Sequence, residues 1–245
     1  MAEIGRLQYD SWSEFKARFT MDIFGSEYYR PDEYVFRGQR DCDWRLATSF
    51  DRWVDQRNIN PSQRPQTAAR LLAIFRKECE ALKVSERVTS NPDYLTVLGQ
   101  HYGLPTRLLD WTDSAYIAAF FAFCDTIESR SDCQHVAIWA LRLNSPAWND
   151  HMGVRIVEAP VADNERLRNQ VGKFTLSNTP FAYLEEYVKH VHATESPLIK
   201  ILLPSTDARS ALADLDAMGI NHARAFPDIT GCALAAKMRL LLNQA

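Results

Sequence analysis

Residues 94–123 read YLTVLGQHYGLPTRLLDWTDSAYIAAFFAF, and they decide the fold because they join a cluster of polar groups to the longest apolar run in the chain. Gly103-Leu104-Pro105 marks a turn, since glycine tolerates unusual dihedrals and proline holds the preceding Leu104 extended. Arg107, Asp110, Trp111, Thr112 and Asp113 follow. Asp110, Thr112 or Asp113 is the expected cap of a helix whose first turns are Ser114-Ala115-Tyr116-Ile117. No charged side chain occurs between residues 114 and 124, so this helix should be buried nearly all round. Its N-terminus would then place free amide groups and a partial positive charge beside Arg107, Thr112 and Asp113.

Outward from this stretch, strands and helices alternate irregularly. Tyr34-Val35-Phe36-Arg37-Gly38-Gln39 is β-prone and ends near a glycine. His135-Val136-Ala137-Ile138-Trp139-Ala140-Leu141 is the expected sheet centre, and Leu198-Ile199-Lys200-Ile201-Leu202-Leu203, stopped by Pro204, is a second strong strand. Shorter strands are expected at Ile156-Val157 and Phe174-Thr175-Leu176. Apolar spacing of three or four predicts helices over 67–87, 94–101, 181–191, 207–218 and 231–242, and a first helix carrying Trp12, Phe15 and Phe19, capped by Ser11 or Ser13 and closed near Gly25. The polar segment 55–66 reads as an exposed loop. The expected class is α+β: a single domain with a central, mostly antiparallel or mixed sheet of short strands flanked by several helices, with residues 1–33 as an N-terminal helical cap on a main domain of 34–245.

With 245 residues, 46% hydrophobic and 24% charged, the chain can bury one substantial core. A formal charge of −3 without a basic block argues against an electrostatically driven nucleic-acid binder. A nucleotide or other small molecule, or a protein target, remains as partner. The five cysteines, Cys42, Cys79, Cys124, Cys133 and Cys232, are scattered and odd in number, which predicts reduced thiols and a cytoplasmic protein. The N-terminus lacks a basic stretch followed by an apolar one, and the apolar run near residues 116–123 is too short to span a bilayer.

Candidate chemistry gathers around Arg37. An arginine near the end of a strand, beside a glycine that permits close approach, can clamp a phosphate; it can equally pair with Asp41, Asp43 or Asp110. Arg107 and Asp110 are spaced for an i,i+3 ion pair bracing the turn, yet Gln39, Gln100, His101 and Gln170 supply more polar groups than one brace needs. Other chemistries are poorly supported. No Gly-x-Ser-x-Gly occurs; a His101–Cys124 pair would place its thiol in the apolar helix; and a zinc site of Cys124, Cys133 and His135 lacks a fourth ligand. No Walker or dinucleotide fingerprint is present.

Three sections resemble the FRG-domain family, named for a Phe/Tyr-Arg-Gly motif and met in bacterial and phage sequences: Phe36-Arg37-Gly38-Gln39, the run from His101 to Thr112 (HYGLPTRLLDWT), and Phe226-Pro227-Asp228. The order of Phe36-Arg37-Gly38 and the later Asp110–Ala122 run (DWTDSAYIAAFFA) is also similar to Arg-Ser-Glu-type ADP-ribosyltransferases. That resemblance implies an ADP-ribosyltransferase-like fold, NAD as substrate and no metal. It implies Arg37 on the pyrophosphate and Thr112 in place of a Ser-Thr-Ser hydroxyl, with Asp110 where the first serine would stand. Gly38, Gln39, His101, Arg107 and Trp111 would complete the nucleotide-binding set. The family's catalytic glutamate should fall near Asn169-Gln170-Val171-Gly172-Lys173-Phe174. Gln170 stands near that place, but an amide carries no anionic charge, so Glu165, Glu158 or Asp110 would have to substitute. The resulting expectation is a nucleotide-pocket protein, either an NAD-consuming ADP-ribosyltransferase or NAD glycohydrolase, or a non-enzymatic ligand- or protein-binding module with a degenerate site.

Overall fold

The computed structural model of the chain describes residues 2–130, 132–158 and 173–243. Its elements run β1 (Gly5–Gln8), α1 (Trp12–Phe24), β2 (Tyr34–Gln39), α2 (Ser49–Asp55), α3 (Arg64–Ala81), α4 (Glu86–Thr89), α5 (Pro92–His101), β3 (Leu108–Trp111), α6 (Ala115–Ser129), β4 (His135–Arg142), β5 (Val154–Glu158), β6 (Lys173–Ser177), α7 (Leu184–His190), β7 (Leu198–Pro204), α8 (Ala208–Ala217), α9 (His222–Ala225) and α10 (Ile229–Asn243). The class is α+β, but the strands divide into two sheets rather than one. A mixed four-stranded sheet has the order β1-β7-β4-β2, and an antiparallel three-stranded sheet has the order β3-β6-β5. No helix among the described residues is long and apolar enough to cross a membrane.

The larger sheet is buried on both faces, which explains why β4 reads as a continuous apolar run rather than an alternating one. Successive side chains of a strand point to opposite faces. Val136, Ile138 and Ala140 accordingly join a core with Trp12, Phe15, Phe19, Phe123 and Leu212, under α1, α6 and α8. Ala137, Trp139 and Leu141 join a second core with Leu46, Leu184, Tyr187 and Val188. The stretch before residue 33 belongs to the same architecture: β1 pairs parallel with β7, and α1, capped by the Ser11 hydroxyl and closed by left-handed Gly25, fills the first core.

Helix α6 packs its first turns directly on β2. A Cβ on Gly38 would lie 1.9 Å from the Ala118 carbonyl oxygen, so the close approach that glycine permits is by the helix backbone, not by a ligand. Ser114 caps α6 by accepting from the Ile117 amide at 3.4 Å, in place of Asp110, Thr112 or Asp113. Those three residues precede the helix because Leu108-Leu109-Asp110-Trp111 is strand β3, paired with β6.

Two other expectations change. The helix expected over 67–87 breaks into α3 and α4 at Lys83, which takes a left-handed backbone (φ 58°). The polar segment 55–66 is not wholly exposed, because Arg64 is buried and pairs with Asp51 at 3.0 Å and with Asp55. Arg107, only 2% exposed, lies beside that network. It donates to the carbonyls of Thr179 (2.6 Å) and Phe181 (3.0 Å) and to the Ser177 hydroxyl (3.3 Å), and it faces Asp51 at 3.5 Å. Its guanidinium ties β3 to the chain leaving β6, so it is a brace and not a phosphate ligand. Its partner is Asp51, not Asp110.

Gly38→Ala is expected to lower stability by about 1–3 kcal/mol or more, as overpacking against rigid backbone does; a falling urea midpoint at constant slope reads it. Arg107→Ala should cost about 3–5 kcal/mol, the range for breaking a buried charge network. Arg107→Lys should recover little of it, since an ammonium cannot reproduce the planar fork. The same denaturation curves check both.

Candidate functional site

On its side away from β4, the middle of β2 reaches across to the smaller sheet. The Phe36 amide donates to the Thr112 carbonyl at 2.7 Å, and the Thr112 amide donates back at 2.8 Å. Beside this bridge opens a cavity of about 580 Å³ whose lining includes Arg37, Asp110, Thr112, Phe121, Arg224 and Phe226. That size is typical of small-molecule sites.

Behind Asp110 runs a short polar relay outside the cavity lining. Thr106 donates its hydroxyl to the Gln100 side-chain oxygen, and the Gln100 amide donates to Asp110 Oδ1. The other carboxylate oxygen, Oδ2, faces Arg37 Nη1 at 3.5 Å, while the same nitrogen donates to the Asp110 carbonyl at 3.0 Å. Asp110 remains 60% exposed and Arg37 23% exposed on their side chains. Among the described residues Arg37 makes its ion pair with Asp110 and with neither Asp41 nor Asp43. Burial lowers the Arg37 guanidinium from its ordinary value; the Asp110 carboxylate opposes that shift and the nearby Arg52 charge adds to it. Arginine stays charged in proteins, so the cost of desolvation is carried by a cation whose buried Nε finds no acceptor among the described residues. An incoming anion would relieve that cost.

Of the residues expected from sequence, the structure brings together Arg37, Gly38, Asp110, Trp111 and Thr112 around one cavity. Trp111 contributes little polar chemistry, because its ring is buried and its indole N–H donates to the Thr175 hydroxyl at 3.1 Å. The Thr112 hydroxyl accepts from the Ser114 amide at 3.4 Å. Gln39 is spent elsewhere: its side-chain oxygen accepts from the Trp139 indole at 2.7 Å, and its amide donates to the Arg45 carbonyl at 3.3 Å. His101 ends α5 and stacks edge-on with Tyr102 at 5.1 Å; it is not part of the cavity lining, nor is Arg107. Gln170 and Glu165 lie outside the described residues. Glu158 ends β5 and is exposed, away from the cavity lining. Cys124 is buried within α6, with burial raising its thiol pKa far above the ordinary range, as suits a core residue rather than a nucleophile. Among the described residues the one cluster close enough to hold a metal is Asp41, Cys42 and Asp43, in the turn after β2 and outside the cavity lining.

Sequence reasoning missed Asn221 and Arg224, which reach the cavity from the short α9. Their signal was present in the run NHARAFPD, where Arg224 stands two positions before Phe226 of the Phe226-Pro227-Asp228 motif. Phe226 meets Phe121 edge-to-face at 6.2 Å. Asp228 Oδ1 accepts from the Gly231 amide at 3.0 Å and so anchors the start of α10.

Comparison with curated proteins and with solved structures gave no match. A family comparison matched residues 32–131 to the FRG domain. The matched stretch runs from the turn before β2 through α6, and so contains Arg37, the Gly103–Pro105 turn, Asp110 and Thr112; Arg224 and the Phe226-Pro227-Asp228 section lie beyond it. Over residues 32–131, therefore, the chain is similar to the FRG domain.

Proposed function

We propose that the cavity is a nucleotide site and that its substrate is NAD, cleaved at the bond between nicotinamide and ribose. The observation that carries this reading is the convergence of Arg37, Asp110 and Thr112 on one cavity beside the first turns of α6. Arg37 holds the pyrophosphate through its charged fork. Asp110 faces the ribose, where positive charge grows as the glycosidic bond lengthens, and a fixed carboxylate there stabilises the oxocarbenium-like state. The bonding pair leaves with nicotinamide. The oxygen of water, or of an acceptor side chain on a protein target, then bonds to the ribose carbon and releases its proton. Thr112 stands by the ribose as the hydroxyl that orders it. With water as acceptor the protein is an NAD glycohydrolase; with a side chain it is an ADP-ribosyltransferase.

A second reading, a non-enzymatic ligand- or protein-binding module, is favoured by one observation: both Asp110 oxygens are already engaged, by Gln100 and by Arg37. The two readings separate in a single assay. Incubated with NAD, the protein is expected to release nicotinamide, measured by chromatography, and Arg37→Ala should reduce the rate by about 100-fold or more, the scale for losing one preorganised charged donor. Asp110→Asn should reduce it comparably. The fold is expected to survive, since a partly exposed ion pair contributes only about 0–1 kcal/mol. ADP-ribose binding without nicotinamide release would select the binding module. Absence of both binding and release at high protein concentration would reject the nucleotide site.

A further inference from the structure

The charges around the cavity do not balance. Arg37 and Asp110 compensate each other as an ion pair, whereas Arg224, the other charged side chain in the lining, has no carboxylate or acceptor for its guanidinium among the described residues. Its polar neighbours are committed. Asn221 Oδ1 accepts from the Arg224 amide at 3.1 Å and its Nδ2 donates to Asp216 at 2.7 Å. His222 is buried, edge-on to Phe120 at 4.9 Å and parallel to Phe226.

The segment bearing Arg224 is also held firmly in place. A Cβ on Gly231 would fall 1.8 Å from the Phe226 carbonyl oxygen and 2.8 Å from that of His222, so α10 begins pressed against the end of α9. An arginine projected from so tightly packed a backbone presents its charge with little of the chain left to reorganise. Beside it Phe121 is 39% exposed, on a helix otherwise mostly buried, with Phe226 standing at 64° to it. A flat ring can lie on one of these rings and meet the other edge-on, both favourable aromatic geometries.

We infer that Arg224 is a second anion-holding group of this cavity, so that the ligand class is an aromatic nucleotide with two linked phosphoryl groups, one directed to Arg37 and the other to Arg224. This rests on the nucleotide reading above and adds to it a binding residue from outside the FRG match. The paired Arg37 and the uncompensated Arg224 divide the work: the first phosphoryl group competes with Asp110 for its guanidinium, and the second meets a cation with no rival.

The test compares ADP with AMP, which differ by one phosphoryl group, by calorimetric titration of the wild-type chain, R224Q and R224K. The wild type is expected to bind ADP about 10- to 100-fold more tightly than AMP, the value of one charge-assisted contact. R224Q should bring the two affinities together by weakening ADP alone, and R224K should restore part of the difference. The side chain is exposed, so thermal melts of the variants should match the wild type. If the wild type binds both nucleotides and R224Q keeps the ADP preference, or loses AMP and ADP equally, the role of Arg224 is overturned while the nucleotide site stands. If the wild type binds neither, the nucleotide site itself falls and Arg224 with it.

Discussion

Two hydrogen bonds between Phe36 and Thr112 join the two sheets, and the placement of Arg37 against Asp110 depends on them. β2 is an edge of the larger sheet and β3 an edge of the smaller. Exposed strand edges carry unpaired donors and acceptors that invite unwanted pairing, so joining edge to edge satisfies both at once. Because the bridge is antiparallel, residues after Phe36 run alongside residues before Thr112. That sense brings Arg37 to Asp110, although 73 positions separate them in the chain. Beside the bridge the cavity opens between these strands, α6 and α9.

Two arginines in the same neighbourhood meet opposite fates, and magnitudes decide which is available to a ligand. Arg107 is fully enclosed, with three oxygen acceptors and Asp51 about its fork. Removing a partner from such a network costs several kcal/mol, so the fold cannot release it. Arg37 is part-exposed, and its carboxylate partner lies at 3.5 Å and is itself largely exposed. An ion pair with one exposed member contributes little to stability. The chain can therefore surrender the Arg37–Asp110 contact to a phosphate without endangering the sheet, whereas Arg107 fixes the strand that carries Asp110.

Much of the architecture was legible in the sequence, and the failures have specific causes. β2, β4 and β7 were visible as β-branched and aromatic runs ended by glycine, asparagine or proline, and α6 as an uncharged apolar run. β1 escaped because four residues alternating between partly covered and exposed positions leave little apolar signal. β3 escaped because the same residues that resemble a helix entrance form a short strand. The i,i+3 pairing of Arg107 with Asp110 presupposed a helix; along an extended chain, residues an odd number apart point to opposite faces. Arg107 accordingly turns into the protein while Asp110 turns towards the cavity. The convergence of Arg37, Asp110 and Thr112 was anticipated from motif order. Arg224 was not, because its four-residue helix has no periodicity of its own and its place is fixed by the packing of Gly231 against Phe226.

A carboxylate beside an arginine proposed to bind phosphate looks at first like a defect, since Asp110 would repel the anion that Arg37 attracts. In the proposed site the two roles separate in sequence of events. Before ligand enters, Asp110 lowers the cost of desolvating Arg37, consistent with its opposition to the burial shift of that guanidinium. A phosphoryl group that takes over the Arg37 fork removes that counter-charge, but the Gln100 amide, itself oriented by Thr106, still holds Asp110 Oδ1. The carboxylate then keeps its position while losing its cation. A fixed, uncompensated negative charge is what a developing positive ribose needs nearby, so in the proposed reaction the phosphoryl group at Arg37 prepares the carboxylate at Asp110.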